Sequence, residues 1–400
     1  MNAPRWVSCV LVAVTCALGC NHYLGDQPIA ADVVWNPAES RSSAKSLSVY
    51  DESRVVDFHV TFPPGEWEKL VTSREPNPDL RWVSCGLSFG GETAPAAACR
   101  RKGNMFDWDQ APKPQFVVRF NLTDKQGRFR GLRRLNFESW DGVEAPVRDR
   151  IGMWVMREAG LPAPRVNHAR VFKDGTLLGV YMNVEAIDKE FIEDQFEPED
   201  GGNLWEEGEL KTNEDLNDRS RYVALNKLVE AEPLEGDHTV FFATLAAMID
   251  VPEVLREIAV ETALVASDNF SNGSPRNFFW YEHPSRGFVL LPWDLDSIFM
   301  SPPESDPFAF WANQKPNKLR QLMNQNPVWR EAYVAALIDV RDNVLARAPS
   351  RLRAICAQIE PPMREDRMRR FTFEAFQTDC AGLGVRIEQR IAALRQALGR

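Results

Sequence analysis

The stretch SDNFSNGSPRNFFWYEHPSRGFVLLPWDLDSIF, Ser267 to Phe299, sets Asp268, Asn277, Asp294 and Asp296 around two short apolar runs. The runs RNFFWYE and GFVLLPWD, joined by HPSRG, read as a β-hairpin. Just upstream, DVPEVLREIAVETALVASDNF offers Asp250 as N-cap, Pro252 in the first turn and an apolar stripe from Val254 to Val265. That pattern predicts a helix delivering Asp268 at its C-terminal end. Hairpin geometry brings strand ends together, so the four polar residues converge on one edge. Carboxylates crowded in a cleft raise one another's pKa unless a cation neutralises them. Mg²⁺ suits such a place, because it takes oxygen ligands, keeps waters and is completed by substrate phosphates.

Other readings of the same residues are weaker or plainer. An EF-hand loop beginning at Asp268 fails, since Phe270 and Phe279 occupy its third and twelfth positions. The DLD of Asp294–Asp296 matches the D-x-D of some sugar-nucleotide transferases, but so does DWD at Asp107–Asp109. The plainest reading is a set of turn and cap residues on a solvated edge.

Outward from this stretch the chain divides into strands before and helices after. VVDFHVTF (Val55–Phe62) alternates like a strand and is followed by the short helical EWEKLVTS. QFVVRFNL, LRRLNFES, PRVNHARVF and LLGVYMNVE carry further strand signals, with VRDRIGMWVMREAG helical between them and Gly160 as its stop. The last hundred residues alternate helices with Pro breaks and end on the amphipathic GVRIEQRIAALRQALGR. The expectation is an α+β domain over 51–400, with a strand-rich part to about 205 and a helical part from about 206. Four hundred residues at 44% hydrophobic content support a large core, and a net charge of −10 excludes a basic nucleic-acid footprint. The five histidines lack zinc-ligand spacing.

The N-terminus reads as a targeting segment, 1–19, with Arg5 before the apolar WVSCVLVAVTCALG. ALGC resembles a lipobox with Cys20 as the lipidated residue, although Leu18 stands where a small residue is usual. A plain secretory signal or a retained anchor are the other readings. Residues 20–50 read as a flexible tether, so the expected location is the cell envelope, membrane-anchored by lipid alone, or otherwise outside the cell. Cys85, Cys99, Cys356 and Cys380 then remain as an even set. Three pairings are open; the sequence-local one, Cys85–Cys99 with Cys356–Cys380, is simplest. Free buried thiols are the alternative, and export favours disulfides.

Several longer segments share an order of motifs. CRRKGNMFDWDQAPKPQFVVRF, then RGLRRLNFESWDGVEAPVRDRIGMWVMREAGLPAPR, then LLGVYMNVEAIDKEFIEDQF with GGNLWE, precede the opening stretch. From about residue 97 to the C-terminus this order resembles the CotH family of spore-coat-type atypical protein kinases. The resemblance implies a fold distantly similar to protein kinases, and ATP- and Mg- (or Mn-) dependent phosphorylation of Ser or Thr on a protein substrate. By the same resemblance Asp268 matches the catalytic aspartate, Asn277 a metal-side asparagine, and Asp294 or Asp296 the metal-holding aspartate. Lys113 matches a strand lysine that neutralises phosphate, Glu185 the glutamate that would pair with it, and Arg101, Lys102 and Gly103 a phosphate-facing turn. Pro114-Gln115 and Glu206 depart from the family pattern, each where a cation is usual. Those departures, and the scarcity of free ATP outside the cytoplasm, favour a second reading: a non-catalytic surface or adhesion module on the same fold.

Overall fold

The computed structural model describes residues 46–103, 113–139, 145–308 and 316–399. The targeting segment, Cys20 and the DWD at Asp107–Asp109 lie outside the described residues.

The first half is a sheet closed on itself. Strands β1 (Val56–Thr61), β2 (Val83–Phe89), β3 (Glu92–Arg101), β4 (Phe116–Arg119), β5 (Arg134–Glu138), β6 (Val166–Lys173) and β7 (Thr176–Val184) pair in the order β1-β2-β3-β4-β5-β7-β6. The barrel closes where β6 returns to β1, a parallel pair placing Phe58 opposite Val171. Closure leaves no unpaired edge for another chain to join. Alternation turns Phe58, Phe116, Val118, Leu135, Phe137 and Tyr181 inward, and Cys85–Cys99 bridges β2 to β3. β2 and β3 went unnoticed in the sequence, because Ser, Gly, Ala and Cys fill them and blur the alternation. Helix α1 (Glu66–Thr72) follows β1, and α2 (Arg148–Glu158) links β5 to β6, with Gly160 at φ +82° beyond its end.

The second half is mostly helical. It runs through α3 (Lys189–Phe196), β8 (Leu204–Glu206), β9 (Glu209–Leu210), α4 (Ser220–Ala231), α5 (Thr239–Ala246) and α6 (Val251–Ala263). The hairpin β10 (Phe278–His283) and β11 (Gly287–Pro292) follows, then α7 (Lys318–Met323), α8 (Pro327–Asp339), α9 (Ala348–Glu365) and α10 (Phe373–Leu398). The hairpin joins β8 and β9 in a sheet of order β11-β10-β8-β9. The fold is therefore α+β, with the barrel in front and helices behind. Two expectations need correction. Helix α6 stops at Ala263, five residues short of Asp268, where Val265 turns at φ +50°. Pro361 and Pro362 lie inside α9 and do not break it. Cys356–Cys380 joins α9 to α10. Among the described residues no helix is long and apolar enough to cross a membrane.

Two polar clasps tie the halves together. Asp366, just past α9, accepts from Lys113 Nζ at 2.6 Å and from Val180 N of β7 at 2.8 Å. Lys113 also donates to Val180 O at 2.7 Å, and both side chains are buried. Gly179 makes this approach possible: its φ is +147°, and a Cβ there would meet Asp366 Oδ2 and Lys113 Cδ at 2.7 Å. At the N-terminal clasp Glu52 pairs with Arg157 of α2 and with Arg351 of α9, while its carbonyl accepts from Arg150 and Gln358.

Asp366→Ala should cost about 3–5 kcal/mol in urea unfolding, because it strands a buried ammonium. Lys113→Met combined with Asp366→Leu should cost less than that single change. A loss under about 1 kcal/mol for Asp366→Ala would rank the pair with ordinary surface bridges.

Candidate active site

The loop that carries Asp268 is held from beneath. Helix α6 is buried along nearly its whole length, Glu253, Glu257 and Glu261 included. From it the Glu261 carboxyl group accepts from Phe270 N at 3.1 Å and Ser271 N at 2.9 Å, which fixes two backbone amides. Asn317 grips the same turn, donating its side chain to Phe270 O and its backbone N–H to Ser271 O. Asn269, fully buried, reaches across to donate to Trp293 O at 2.9 Å. Asp268 is thereby left exposed on a loop whose neighbours are pinned.

The hairpin supplies the facing residues. Asn277 enters β10 at φ +54° and donates its side chain to Asp268 O at 2.9 Å, with Asp268 Oδ2 at 3.5 Å. Its own carbonyl accepts from Trp293 N at 3.1 Å, closing the hairpin end. Beyond β11, Asp294 turns at φ +49°, a strained setting for a residue other than glycine. The next residue, Leu295, donates its N–H to Asp149 Oδ1 at 2.6 Å. Asp149 stands in the first turn of α2, and Gly152 one turn on lets the helix approach, since a Cβ there would touch Leu295 at 3.0 Å.

The barrel completes the site. Lys102 extends β3 through its N–H to Gln115 O, and its ammonium pairs with Glu138, the last residue of β5. The same ammonium lies 5.1 Å from the Trp293 ring. Ligand oxygens of Glu138, Asp149 and Asp294 all lie within 4.8 Å of one another. Burial first, then Glu138 and Asp268, push the Asp294 carboxyl up to about 6, with Lys102 opposing. Lys102 sits above its ordinary value: burial works against its charge, but Glu138, Asp294 and Asp149 outweigh it.

Of the residues read from the sequence, Asp268, Asn277, Asp294 and Lys102 meet at this site. Asp296 lies outside the carboxylate triplet, so Asp294 is the aspartate that faces it. The Lys113–Glu185 pair is corrected: Lys113 is committed to Asp366, and Glu185 receives Arg165 through its backbone N–H and a two-pronged guanidinium. Arg165 precedes β6 and Glu185 follows the paired strand β7, so register makes them neighbours, and the planar fork fits a carboxylate better than an ammonium does. Arg101, the residue before Lys102, points the other way and donates to Val71 O of α1 at 2.9 Å. Gly103, at φ +85°, closes the described part of that turn. Sequence reasoning missed Glu138 and Asp149. Asp149 resembles any acid favoured by a helix dipole, and Glu138 any strand-end carboxylate.

The family model described as "CotH kinase protein" matches residues 100–394. No curated protein matches the chain. Two solved structures are similar to it over most of its length. One is the Shewanella oneidensis MR-1 toxin–antitoxin system HipA, HipB and operator DNA complex, at 15% identity, 66% of this chain and TM-score 0.32. This chain spans 58% of the length of that one. The other is the Helicobacter pylori proinflammatory kinase CtkA, at 11% identity, 71% of this chain, 94% of that chain and TM-score 0.33. With the family model covering 295 of its residues, the chain belongs to the CotH kinase protein family.

Proposed function

We propose that the chain transfers the terminal phosphoryl group of ATP, with Mg²⁺ or Mn²⁺, to a Ser or Thr hydroxyl of another protein. The observation that carries this reading is the meeting of Glu138, Asp149 and Asp294 around Lys102, beside Asp268. The residues fit a divalent cation: three carboxylates less one ammonium leave two negative charges, carried by hard oxygen donors. Held by these carboxylates, the ion would supply charge neutralisation at the transferring phosphate. Lys102 would neutralise a phosphate oxygen from the barrel side. Asp268, exposed on its pinned loop, would accept the proton as the substrate oxygen bonds to phosphorus and the bond to the departing ADP oxygen breaks. Asn277 would hold Asp268 in register, through the contact it makes with the aspartate's carbonyl. The two disulfides support a place in an oxidising compartment, in keeping with export and a lipid tether at Cys20.

Purified chain given ATP with Mg²⁺ or Mn²⁺ should label itself or a Ser-rich peptide. Asp268→Ala should slow that labelling on the order of 10²–10⁴-fold, and Asp294→Asn should remove its dependence on metal. Equal incorporation by wild type and both variants, with no metal-dependent ATP binding, would sink the kinase reading and leave a binding module.

Charge makes a second expectation. A carboxyl raised to about 6 in the folded chain binds more protons there than when unfolded, so its contribution to stability falls as pH rises from about 4 to 6. In chelator, Asp294→Asn should therefore melt higher than wild type at pH 7, and the gain should vanish near pH 4. Divalent metal should raise the wild-type Tm more at pH 7 than at pH 5. Identical melting of the two proteins at pH 7 would refute the strained carboxylate.

A further inference from the structure

A chain with a net charge of −10 nevertheless gathers arginines on one wall of its barrel. With Cys99, Phe116, Val118, Leu135 and Phe137 turned inward, Arg100 of β3, Arg119 of β4 and Arg134 of β5 face outward, on the same side as Lys102 and Glu138. Arg119 stands directly opposite Arg134, and Arg100 is one diagonal step from Arg119. Like charges set opposite each other across a sheet destabilise it, so folding alone does not favour this arrangement.

The guanidinia are ordered but under-neutralised. Trp82 is stacked by both, with Arg100 at 4.8 Å and Arg119 at 5.9 Å from its ring. Arg134 has Asp188 at 3.3 Å and Arg133 has Glu190 at 3.0 Å, which settles the far end of the strip. Among the described residues neither Arg100 nor Arg119 has a carboxylate in ion-pair range, and the buried Arg100 Nε and Trp82 Nε1 have no acceptor. Burial, then Arg81, lower the Arg100 guanidinium below its ordinary value, Asp79 opposes them, and Arg134 and Arg119 add to the lowering. A groove of about 560 Å³, bordered by Trp82, Ser84, Ala98 and Arg119, continues the same face, and the one carboxylate lining it, Glu66, is held by Lys69 and by Ser84 N.

We propose that this strip docks an acidic segment of the protein substrate, its carboxylates on Arg100 and Arg119 while the acceptor hydroxyl lies at Asp268. The inference rests on the kinase reading and adds the substrate's charge to it. Four residue steps along β5 separate Arg134 from Glu138, about 13 Å at strand rise. Phosphates gathered by Lys102 sit at the other end of the strip, so the arginines are left for a second anion. With Arg100 level with Asn136 and Arg119 level with Arg134, an extended peptide meets them about two and four residues before it passes Glu138.

The test is direct binding, which needs no turnover. A fluorescent Ser peptide with Glu and Asp about two and four residues from the serine is titrated against the full chain by anisotropy, beside a copy with those acids changed to Ala. Wild type should bind the acidic peptide about tenfold more tightly, and added salt should erode the difference. Arg100→Gln with Arg119→Gln should abolish the preference without lowering Tm, since it relieves repulsion, and Arg100→Lys with Arg119→Lys should restore part of it. Saturating Mg-ATP should leave the preference intact. Equal affinity of wild type for the two peptides overturns the proposal, as does displacement of the acidic peptide by ATP, which would give the strip to the nucleotide. Retention of the preference in a protein that transfers no phosphate supports the docking surface and counts against the kinase reading alone.

Discussion

Three carboxylates and one ammonium share a space in which none of them would be placed alone. Glu138 comes from the barrel, Asp149 from the helix after it, and Asp294 from the hairpin of the other half. Their mutual repulsion is a cost that packing elsewhere must outweigh, and Lys102 offsets only part of it. The hydrogen bond from Leu295 N to Asp149 fixes how closely α2 meets the hairpin, and Gly152 removes the side chain that would hold them apart. The site is thus assembled by the contact of two halves and belongs to neither.

This explains which parts were legible in the sequence. The hairpin, α6 with its Asp250 cap, and most barrel strands rest on local patterns, and local patterns survive reading one residue after another. Asp268, Asn277 and Asp294 were found because they lie within one short stretch. Glu138 and Asp149 were not, since their meaning appears only when distant segments touch. Lys113 and Glu185 show the converse error. Each is buried and charged, as expected of functional groups, yet each already has a better partner in Asp366 and Arg165, through registers that no spacing reveals.

Burial of charge is frequent here and does not carry one meaning. Lys113 with Asp366 is a buried structural pair, and Arg165 is shared between Glu185 and, at 3.7 Å, Asp194. Glu261 uses its carboxyl group to hold backbone amides. At two other places the charges do not match. Acids exceed bases at the triplet, and bases exceed acids along the arginine wall. The two imbalances have opposite sign and lie on one face.

The Glu52 clasp has a mechanical side. A pull along the backbone from before Ser46 first meets Val49, whose carbonyl accepts from Asn167 of β6 and Asn183 of β7, and then Glu52, where Arg157 and Arg351 grip one carboxylate, and Arg150 and Gln358 one carbonyl. The bonds at Glu52 share the load in parallel and pass it to α2 and α9, before it arrives at the first barrel strand. The clasp works as a strain relief does on a cable, spreading the load over two helices ahead of Val56.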